Sequence, residues 1–390
     1  TCAFKDMALQ ILPHLLTRST KKEGIKEETV ILVATSGDTG KAALAGFQDV
    51  FGTKIVVFFP ENGVSRIQKL QMTTQDGKNV FVSAVNGNFD DAQNGVKRIF
   101  TDREYENKLK NSGEVLSSAN SINWGRLVPQ IVYYFSAYAD MLNGGEIKYG
   151  DKINIVVPTG NFGNILAAYY ASRMGLPVNK FICASNSNNV LTDFIATGVY
   201  DRNRSFKTTI SPSMDILISS NLERFLFDIT EGNDKKVSSF MDKLRTEGKY
   251  DIGEELHKKI SAIMCGGYCN DNETMETIKS VSDKYSYVAD THTAVAIKVY
   301  RDYVKETGDT TKTVIASTAS PYKFSTSVVT AICGNVNAKD EFEIIEMLHE
   351  ISKLPVPASL AELKTKSVRF NTVCEPADMK ATVSDFLNVK

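Results

Sequence analysis

The sequence lacks a long run of basic residues, and its 45 Lys and Arg side chains are balanced by 46 Asp and Glu. A balanced chain without a basic patch is a poor partner for nucleic acid or for an anionic membrane, so we expect neither. A small anionic ligand would have to be held by local groups rather than by a global field. No apolar stretch approaches the length of a membrane span, and we expect a cytoplasmic protein.

Cysteine is sparse as well: six residues are scattered along the chain, and only Cys265 and Cys269 lie close together. Their spacing lacks the second pair of ligands that is typical of a zinc site, and His257 is the only histidine near them. We therefore expect no metal, and reduced thiols rather than disulfides. The length of 390 residues, with 42% hydrophobic side chains, favours two domains over one.

The stretch at residues 153–166, INIVVPTGNFGNIL, predicts a ligand-binding turn. Residues 153–157 are apolar and rich in β-branched side chains, which predicts a strand buried on both faces, and Pro158 ends it. A turn containing two glycines follows before a predicted helix, where backbone N–H groups suit a phosphate. Gly-x-x-Gly is also an ordinary tight connection. The turn is neither a Rossmann fingerprint nor a Walker loop, because the third glycine and the Gly-Lys-Ser/Thr sequence are absent.

A second predicted strand, at residues 28–34, runs into the polar loop SGDTG and then into a helix. Ser36 and Thr39 offer hydroxyl groups there, beside the N–H groups of the helix start. This combination suits a carboxylate or a phosphate.

The remaining strand candidates complete a pattern of repeated β-α units, which predicts parallel sheets. They lie at residues 54–59, 80–85, 180–184 and 313–316. Thr318 follows the last of them, at the end of the strand that faces ligands in open α/β sheets.

Two basic side chains stand near predicted helix starts. Lys5 lies between Phe4 and Asp6, where we expect the helix dipole and the aromatic ring to disfavour its ammonium form, as an amine that attacks a carbonyl requires. The alternative is a solvated surface lysine. Arg126 follows the polar stretch SSANSINWG and could bind a phosphate through its guanidinium fork. The alternative there is a capping segment with a surface arginine.

Five motifs, FKD, SGDTG, SANSINxxR, PTGNFGN and STASPYKF, resemble in identity, order and spacing those of the bacterial and fungal threonine synthases. These are fold-type II enzymes that use pyridoxal phosphate (PLP). The resemblance covers nearly the whole chain. It implies an α/β fold like that of the tryptophan synthase β subunit, with two open, mostly parallel sheet domains and the cofactor in the cleft between them.

The resemblance also implies a domain division. Residues 1–145 would form a smaller α/β domain with the Schiff-base lysine and the substrate loops. Residues 146–330 would form a larger α/β domain with the phosphate loop, and residues 331–390 a helical extension. In this family AFKD follows a His-Gly-Pro stretch, so we expect an N-terminal segment of the family to precede residue 1.

Individual roles follow from the same resemblance. Lys5 would carry PLP as the catalytic Schiff-base lysine, and Thr318 would face the pyridine nitrogen. The cofactor phosphate would lie in the turn formed by Gly160, Asn161, Phe162, Gly163 and Asn164. The amino-acid end of the substrate would be held by Ser36, Gly37, Asp38 and Thr39. Its phosphate would be held by Ser121, Asn123 and Arg126, with Lys69 as a further candidate.

The implied reaction converts O-phospho-L-homoserine and water into L-threonine and phosphate, the last step of threonine biosynthesis. A serine/threonine dehydratase or sulfhydrylase of the same fold type remains an alternative, as does a non-catalytic relative that binds PLP or a phosphorylated ligand. The chain departs from the family at Thr291, where proline is usual before His292, and at Ser320 and Tyr322, where His-Pro-Ala is frequent. These departures concern the substrate pocket more than the lysine or the phosphate turn. No oligomeric state follows from the sequence.

Overall fold

The computed structural model describes residues 1–35, 37–121 and 123–389. Within these residues the backbone forms strands and helices that alternate along most of the chain. The strands are Glu28–Ala34 (β1), Thr53–Pro60 (β2), Val80–Val85 (β3), Glu114–Ser117 (β4), Ile153–Pro158 (β5), Val178–Ser185 (β6), Val199–Asp201 (β7), Lys249–Asp251 (β8), Met264–Tyr268 (β9), Thr313–Ile315 (β10) and Thr372–Cys374 (β11).

The α-helices occupy most of the connections between these strands. They are Lys5–Lys22 (α1), Asp38–Phe47 (α2), Arg66–Thr73 (α3), Phe89–Thr101 (α4), Arg103–Asn111 (α5), Trp124–Asn143 (α6), Gly163–Arg173 (α7), Val190–Thr197 (α8), Leu222–Ile229 (α9), Asp234–Thr246 (α10), Glu254–Ile263 (α11), Asp271–Tyr285 (α12), Thr291–Thr307 (α13), Ser325–Cys333 (α14), Glu341–Ser352 (α15), Ala358–Ala361 (α16) and Met379–Leu387 (α17).

The chain forms two compact units. The first unit consists of residues 1–129 and 355–390, and the second unit of residues 130–354. The boundaries of these units, after residues 129 and 354, differ from the domain boundaries expected from the sequence, after residues 145 and 330. The domain division expected from the sequence stays a prediction.

The first unit is built on a five-stranded parallel sheet in the order β11-β3-β2-β1-β4. The apolar run of β1 explains why both faces of this sheet are covered. Ile31 and Val33 pack in one core with side chains of α1 and α2. Val30 and Leu32 point to the opposite face and pack with side chains of α4 and α17. The carboxyl end of β1 leads directly into the loop before α2.

The second unit contains a four-stranded parallel sheet in the order β10-β5-β6-β9 and a short antiparallel pair of β7 and β8. Every residue of β5 is buried, and Pro158 is its last residue, as predicted. Val156 packs on one face with Ile182 of β6 and Val295 of α13. The predicted α/β class with parallel sheets is confirmed. The carboxyl end of β5 opens into the turn before α7.

Two local expectations differ from the structure. Residues 216–227 are amphipathic in sequence, which favours a helix over the whole run, but the α-helix begins only at Leu222, because the residues before it form turns and contact the loop after β5. Residues 372–374, in the segment expected to be helical, instead form β11 and pair with β3.

The cysteines are free thiols. Burial raises the pKa of the Cys183 thiol to about 12 and that of Cys269 to about 11, so both stay protonated at neutral pH. Across the described ranges, no cluster of three or more His, Cys, Asp or Glu side chains is placed to hold a metal ion. None of the helices in the described part of the chain is long and apolar enough to cross a membrane.

Candidate functional site

The turn between β5 and α7 has a conformation that few sequences allow. Phe162 precedes α7 in the left-handed region, with φ of 61°, and its buried ring packs 5.4 Å from the ring of Phe225. A Cβ atom on Gly160 would lie only 2.5 Å from the carbonyl oxygen of Ser213. Position 160 therefore requires glycine. The left-handed backbone at Phe162 is stabilised by the packing of its ring.

The carbonyl groups of this turn are occupied, whereas its N–H groups are not. Ser219 Oγ donates to the Gly160 carbonyl at 2.8 Å, and the Asn221 backbone N–H and Nδ2 donate to the Asn161 carbonyl at 3.1 and 3.0 Å. Within the described residues, the backbone N–H groups of residues 161–165 have no acceptor. The turn thus presents donors at the positive end of α7, an arrangement that binds anions. Sequence reasoning missed Ser219 and Asn221, although the polar Ser-Ser-Asn sequence before an apolar helix is a detectable signal.

Asn164, in the first turn of α7, is fixed by a tyrosine from α6. The hydroxyl of Tyr134 donates to Asn164 Oδ1, and both residues are buried. Burial raises the pKa of Tyr134, so this hydroxyl stays neutral and continues to donate. Tyr134 was not predicted as a site residue, because nothing in its apolar helix marks it.

Thr318 lies just beyond β10 with only 6% of its surface exposed. No hydrogen bond joins its hydroxyl to another described residue. The preceding residue, Ser317, has contacts instead: its Oγ lies 3.3 Å from Thr293 Oγ1 and 3.2 Å from the Tyr287 hydroxyl. A hydroxyl of this kind, on a largely buried residue, is available for a ligand.

The residues that depart from the family pattern serve the local backbone. Ser320 Oγ accepts a hydrogen bond from the Tyr322 N–H at 3.3 Å and caps a short 3-10 helix. The buried Tyr322 donates its hydroxyl to the Leu354 carbonyl at 2.6 Å. Thr291 is the first residue of α13, and its Oγ1 lies 3.3 Å from His292 Nδ1, a contact that proline cannot make.

In the first unit, Lys5 is the first residue of α1, and its amine faces a carboxylate. Lys5 Nζ lies 3.5 Å from Asp38 Oδ2 and 5.0 Å from the centre of the Phe4 ring, with 13% of the side chain exposed. Gln68 Nε2 donates to the other Asp38 oxygen at 3.3 Å. The alternative of a solvated surface lysine is wrong. The effect expected of the aromatic ring is also wrong in sign, because a ring face and a carboxylate both stabilise an ammonium ion.

The loop between β1 and α2 is held by Thr35, a residue that the sequence did not single out. Its buried Oγ1 accepts the N–H groups of Gly37 and Gly40, each at 3.0 Å. Gly37 has a φ of 127°, which favours glycine. Thr39 is half-buried, and its hydroxyl has no partner among the described residues. Ser36 lies outside the described residues.

Arg126 is buried, with 4% of its surface exposed, so the alternative of a surface arginine is wrong. Its Nη1 donates to the Ala119 carbonyl at 3.0 Å, and burial lowers its pKa to about 10. Asn123 is committed to the loop: Oδ1 accepts the Gly125 N–H at 2.9 Å, and Nδ2 donates to the Ser118 carbonyl at 2.8 Å. The capping reading of this segment is therefore correct for Asn123.

The other two residues expected to bind the substrate phosphate, Ser121 and Lys69, are more exposed than Arg126. Ser121 is half-buried just before α6. Lys69 has 41% of its side chain exposed and forms an ion pair with Glu61 at 2.6 Å. That ion pair would have to loosen before the amine could hold a second anion.

Comparison with known proteins places these features in a family. The description "Pyridoxal-phosphate dependent enzyme" matches residues 1–244, and "Threonine synthase, C-terminal" matches residues 293–384. Threonine synthase-like 1 from Homo sapiens is 43% identical over 85% of this chain. Threonine synthase from Saccharomyces cerevisiae is 38% identical over 91% of this chain and 71% of its own length. The crystal structure of PLP-bound threonine synthase from Brucella melitensis has a TM-score of 0.85 at 36% identity, and the match covers 98% of this chain and 76% of that one.

The chain spans 45% of the length of the human relative. The matches confirm the fold-type II assignment that was expected from the motifs. The chain belongs to the threonine synthase family of PLP-dependent enzymes.

Proposed function

We propose that this chain converts O-phospho-L-homoserine and water into L-threonine and inorganic phosphate, with PLP as its cofactor. The observation that carries the proposal is the turn before α7, whose carbonyls are occupied and whose N–H groups at residues 161–165 are left over. Such a turn fits a phosphate group, because it offers donors and the positive end of a helix without a charged side chain of its own. Residues 160–164 would hold the cofactor phosphate.

Lys5 would hold the cofactor through its amine and later move protons at Cα and Cβ of the substrate. Bound PLP supplies the electron sink that this carbanion chemistry needs. Asp38, 3.5 Å from Lys5 Nζ, would keep the amine oriented while it is not bonded to the cofactor. Because an ammonium ion cannot attack a carbonyl, Lys5 has to give up its proton before it takes the cofactor.

Thr318 would face the pyridine nitrogen of the cofactor with its hydroxyl. A neutral hydroxyl offers no negative charge to keep a proton on that nitrogen, in contrast to a carboxylate. More of the proton movement would therefore depend on a well-placed Lys5.

The substrate would be held at two ends. The hydroxyls of Ser36, before α2, and of Thr39, in the first turn of α2, would bind its carboxylate, and the Asp38 carboxylate would bind its amino group. Gly37, whose N–H is bonded to Thr35 Oγ1, would shape the loop. Arg126 would bind the phosphate, because a guanidinium with 4% exposure acts in a medium that screens its charge weakly. The reaction breaks the bond between Cγ and the phosphate oxygen, moves a hydrogen from Cβ to Cγ and adds the hydroxyl of water at Cβ. The second proton of water leaves with the phosphate.

The test uses the full chain incubated with PLP. We expect a visible absorbance from the bound cofactor, and release of phosphate and threonine from O-phospho-L-homoserine. Lys5→Ala should abolish both the absorbance and the turnover, whereas Lys22→Ala, at the exposed opposite end of α1, should change neither. Unchanged absorbance and turnover in Lys5→Ala would end the assignment.

The same preparation separates the alternatives. A dehydratase would release ammonia from serine or threonine, and a sulfhydrylase would require sulfide. A protein that binds PLP through Lys5 and forms no product from any of these substrates would be a non-catalytic relative. Phosphate release that depends on Lys5 distinguishes threonine synthase from all three.

A further inference from the structure

His292 lies buried at the start of α13, with contacts on both sides of its ring. Its Nε2 accepts a hydrogen bond from the backbone N–H of Ser213 at 3.1 Å. Its Nδ1 lies 3.4 Å from Asp290 Oδ1 and 3.3 Å from Thr291 Oγ1. The ring packs 4.7 Å from the ring of Phe324, so the side chain is held from several directions.

These contacts determine where the imidazole carries its proton. A nitrogen that accepts from a backbone N–H has no proton of its own, so the neutral ring is protonated at Nδ1, on the side of the Asp290 carboxylate. Asp290 is itself fixed as the cap of α13, because its Oδ1 accepts the His292 N–H at 2.9 Å. The acceptor at Nε2 is therefore set in a defined place.

The residue that His292 holds is the one that touches the phosphate turn. The Ser213 carbonyl oxygen would be 2.5 Å from a Cβ on Gly160, and Met214 Cα would be 3.3 Å from it. The backbone of residues 213–214 thus forms the wall against which the turn is packed. A displacement of Ser213 would shift the turn and the N–H groups that follow it.

We propose that His292 is a positioning residue for the cofactor phosphate, acting through the backbone of Ser213 on the turn at Gly160. The proposal rests on the assignment of that turn to the phosphate of PLP. Among the described residues, no hydrogen bond or ring contact joins the His292 ring to the turn at residues 160–164. Its effect is to fix the distance between the Ser213 backbone and Gly160.

The Asp290 carboxylate also connects, through Thr293 and Ser317, to the neighbourhood of Thr318, the other proposed cofactor contact. Asp290 Oδ2 accepts the Thr293 hydroxyl, and Thr293 Oγ1 lies 3.3 Å from Ser317 Oγ, beside Thr318. The contacts of Asp290 through His292 and through Thr293 should therefore affect different ends of the cofactor. Loss of the His292 contacts should weaken recognition of the phosphate, whereas loss of the Thr293 contacts should affect the ring end of the cofactor.

The experiment compares apparent Kd values of PLP and of pyridoxal, which lacks the phosphate, for the full chain. Bonding to Lys5 is common to both ligands, so the ratio of the two Kd values isolates the phosphate. We expect His292→Leu to reduce the preference for PLP about tenfold, as the loss of one positioned hydrogen bond implies. His292→Gln places an amide oxygen near the position of Nε2 and should restore most of it. His292→Asn is also an amide but is too short to reach Ser213, and should not.

His257→Leu is the matched control, because the His257 ring also bonds the backbone, with Nε2 3.0 Å from the Ile195 carbonyl oxygen, at another place in the second unit. It should leave the ratio unchanged even where it lowers thermal stability. Equal weakening of both ligands by His292→Leu, or equal ratios in the Gln and Asn variants, would overturn the proposal. Should the Leu variant not fold, the Gln and Asn pair makes the same comparison.

Failure of the proposed function would look different. A wild-type chain with no preference for PLP over pyridoxal would show that the phosphate turn itself is misassigned. A wild-type chain that prefers PLP but releases no phosphate from O-phospho-L-homoserine would refute the reaction and leave the role of His292 intact.

Discussion

Tyr134 fixes the orientation of the Asn164 amide. Because its hydroxyl donates to Asn164 Oδ1, the carbonyl end of the amide points to α6, and Nδ2 is the group left to donate from the first turn of α7. The amide Nδ2 and the backbone N–H groups of residues 161–165 together make the start of α7 a surface of donors. A phosphate accepts from such a surface, and a carbonyl-rich one would repel it.

Tyr134→Phe should therefore weaken PLP binding, because the freed amide can rotate and present its oxygen. We expect a roughly fivefold higher apparent Kd, the effect of about one hydrogen bond. Tyr133→Phe is the control: the neighbouring hydroxyl bonds Gln130 at 2.9 Å instead. Titration of the visible absorbance with PLP measures both, and equal effects would show that the amide orientation is unimportant.

Gly160→Ala tests the steric fit of the phosphate turn. The added Cβ would lie 2.5 Å from the Ser213 carbonyl oxygen, a backbone atom that cannot rotate away. Overpacking of this kind costs about 1–3 kcal/mol, so we expect a lower unfolding temperature and at least tenfold weaker PLP binding. Gly163→Ala should be much milder, because its nearest contact is Asn221 Nδ2 at 3.4 Å. Similar losses in the two variants would contradict the tight fit at Gly160.

Arg126→Lys should separate cofactor binding from substrate binding. The ammonium keeps the charge but cannot form two parallel hydrogen bonds to a phosphate. We expect unchanged PLP absorbance and a kcat/KM for O-phospho-L-homoserine lower by about 10- to 100-fold, as the loss of a charge-assisted contact implies. A variant that loses PLP absorbance would show instead that Arg126 serves the fold or the cofactor.

Lys41 should make the stability of the protein depend on pH. It donates to Gln75 Oε1 inside the first unit, and burial, together with the nearby Lys366, lowers its pKa from 10.5 to about 8. Between these values the unfolded chain holds a proton that the folded chain lacks, so the free energy of unfolding rises with pH. Denaturant titrations of the apoprotein at pH 8 and above should show a rise that Lys41→Met reduces by about 1–3 kcal/mol. An equal slope in both proteins would contradict the lowered pKa, and Lys22→Met is the exposed control.

The sheets could be predicted from the sequence where a strand is a continuous apolar run. Residues 28–34 and 80–85 were predicted to their observed ends, because polar loops bound each run. Residues 372–374 carry no such run: only Val373 is strongly apolar, and 52% of its surface is exposed. An edge strand this short is specified by pairing with β3 rather than by its own pattern.

The motifs gave the candidate residues but not what holds them in place. Ser213 and Gly160 are far apart in the chain, and nothing in either segment indicates that one backbone packs on the other. Asp38 was assigned to the substrate, and its contact with Lys5 at 3.5 Å was not predicted. Such contacts between distant segments depend on the complete fold and cannot be read from spacing.

The parallel sheet of the first unit has its outermost strand, β11, almost at the other end of the chain from β1. Met379 and Val383 of α17 join the core under Val30 and Leu32 of β1. During translation, β1 to β4 have all been synthesised by Ser117, but their sheet keeps an open edge at β3 and one partly uncovered face until β11 and α17, from Thr372 onwards, have emerged. The second unit, contiguous in sequence, can fold in the meantime, and a chaperone that shields β3 would act within that interval.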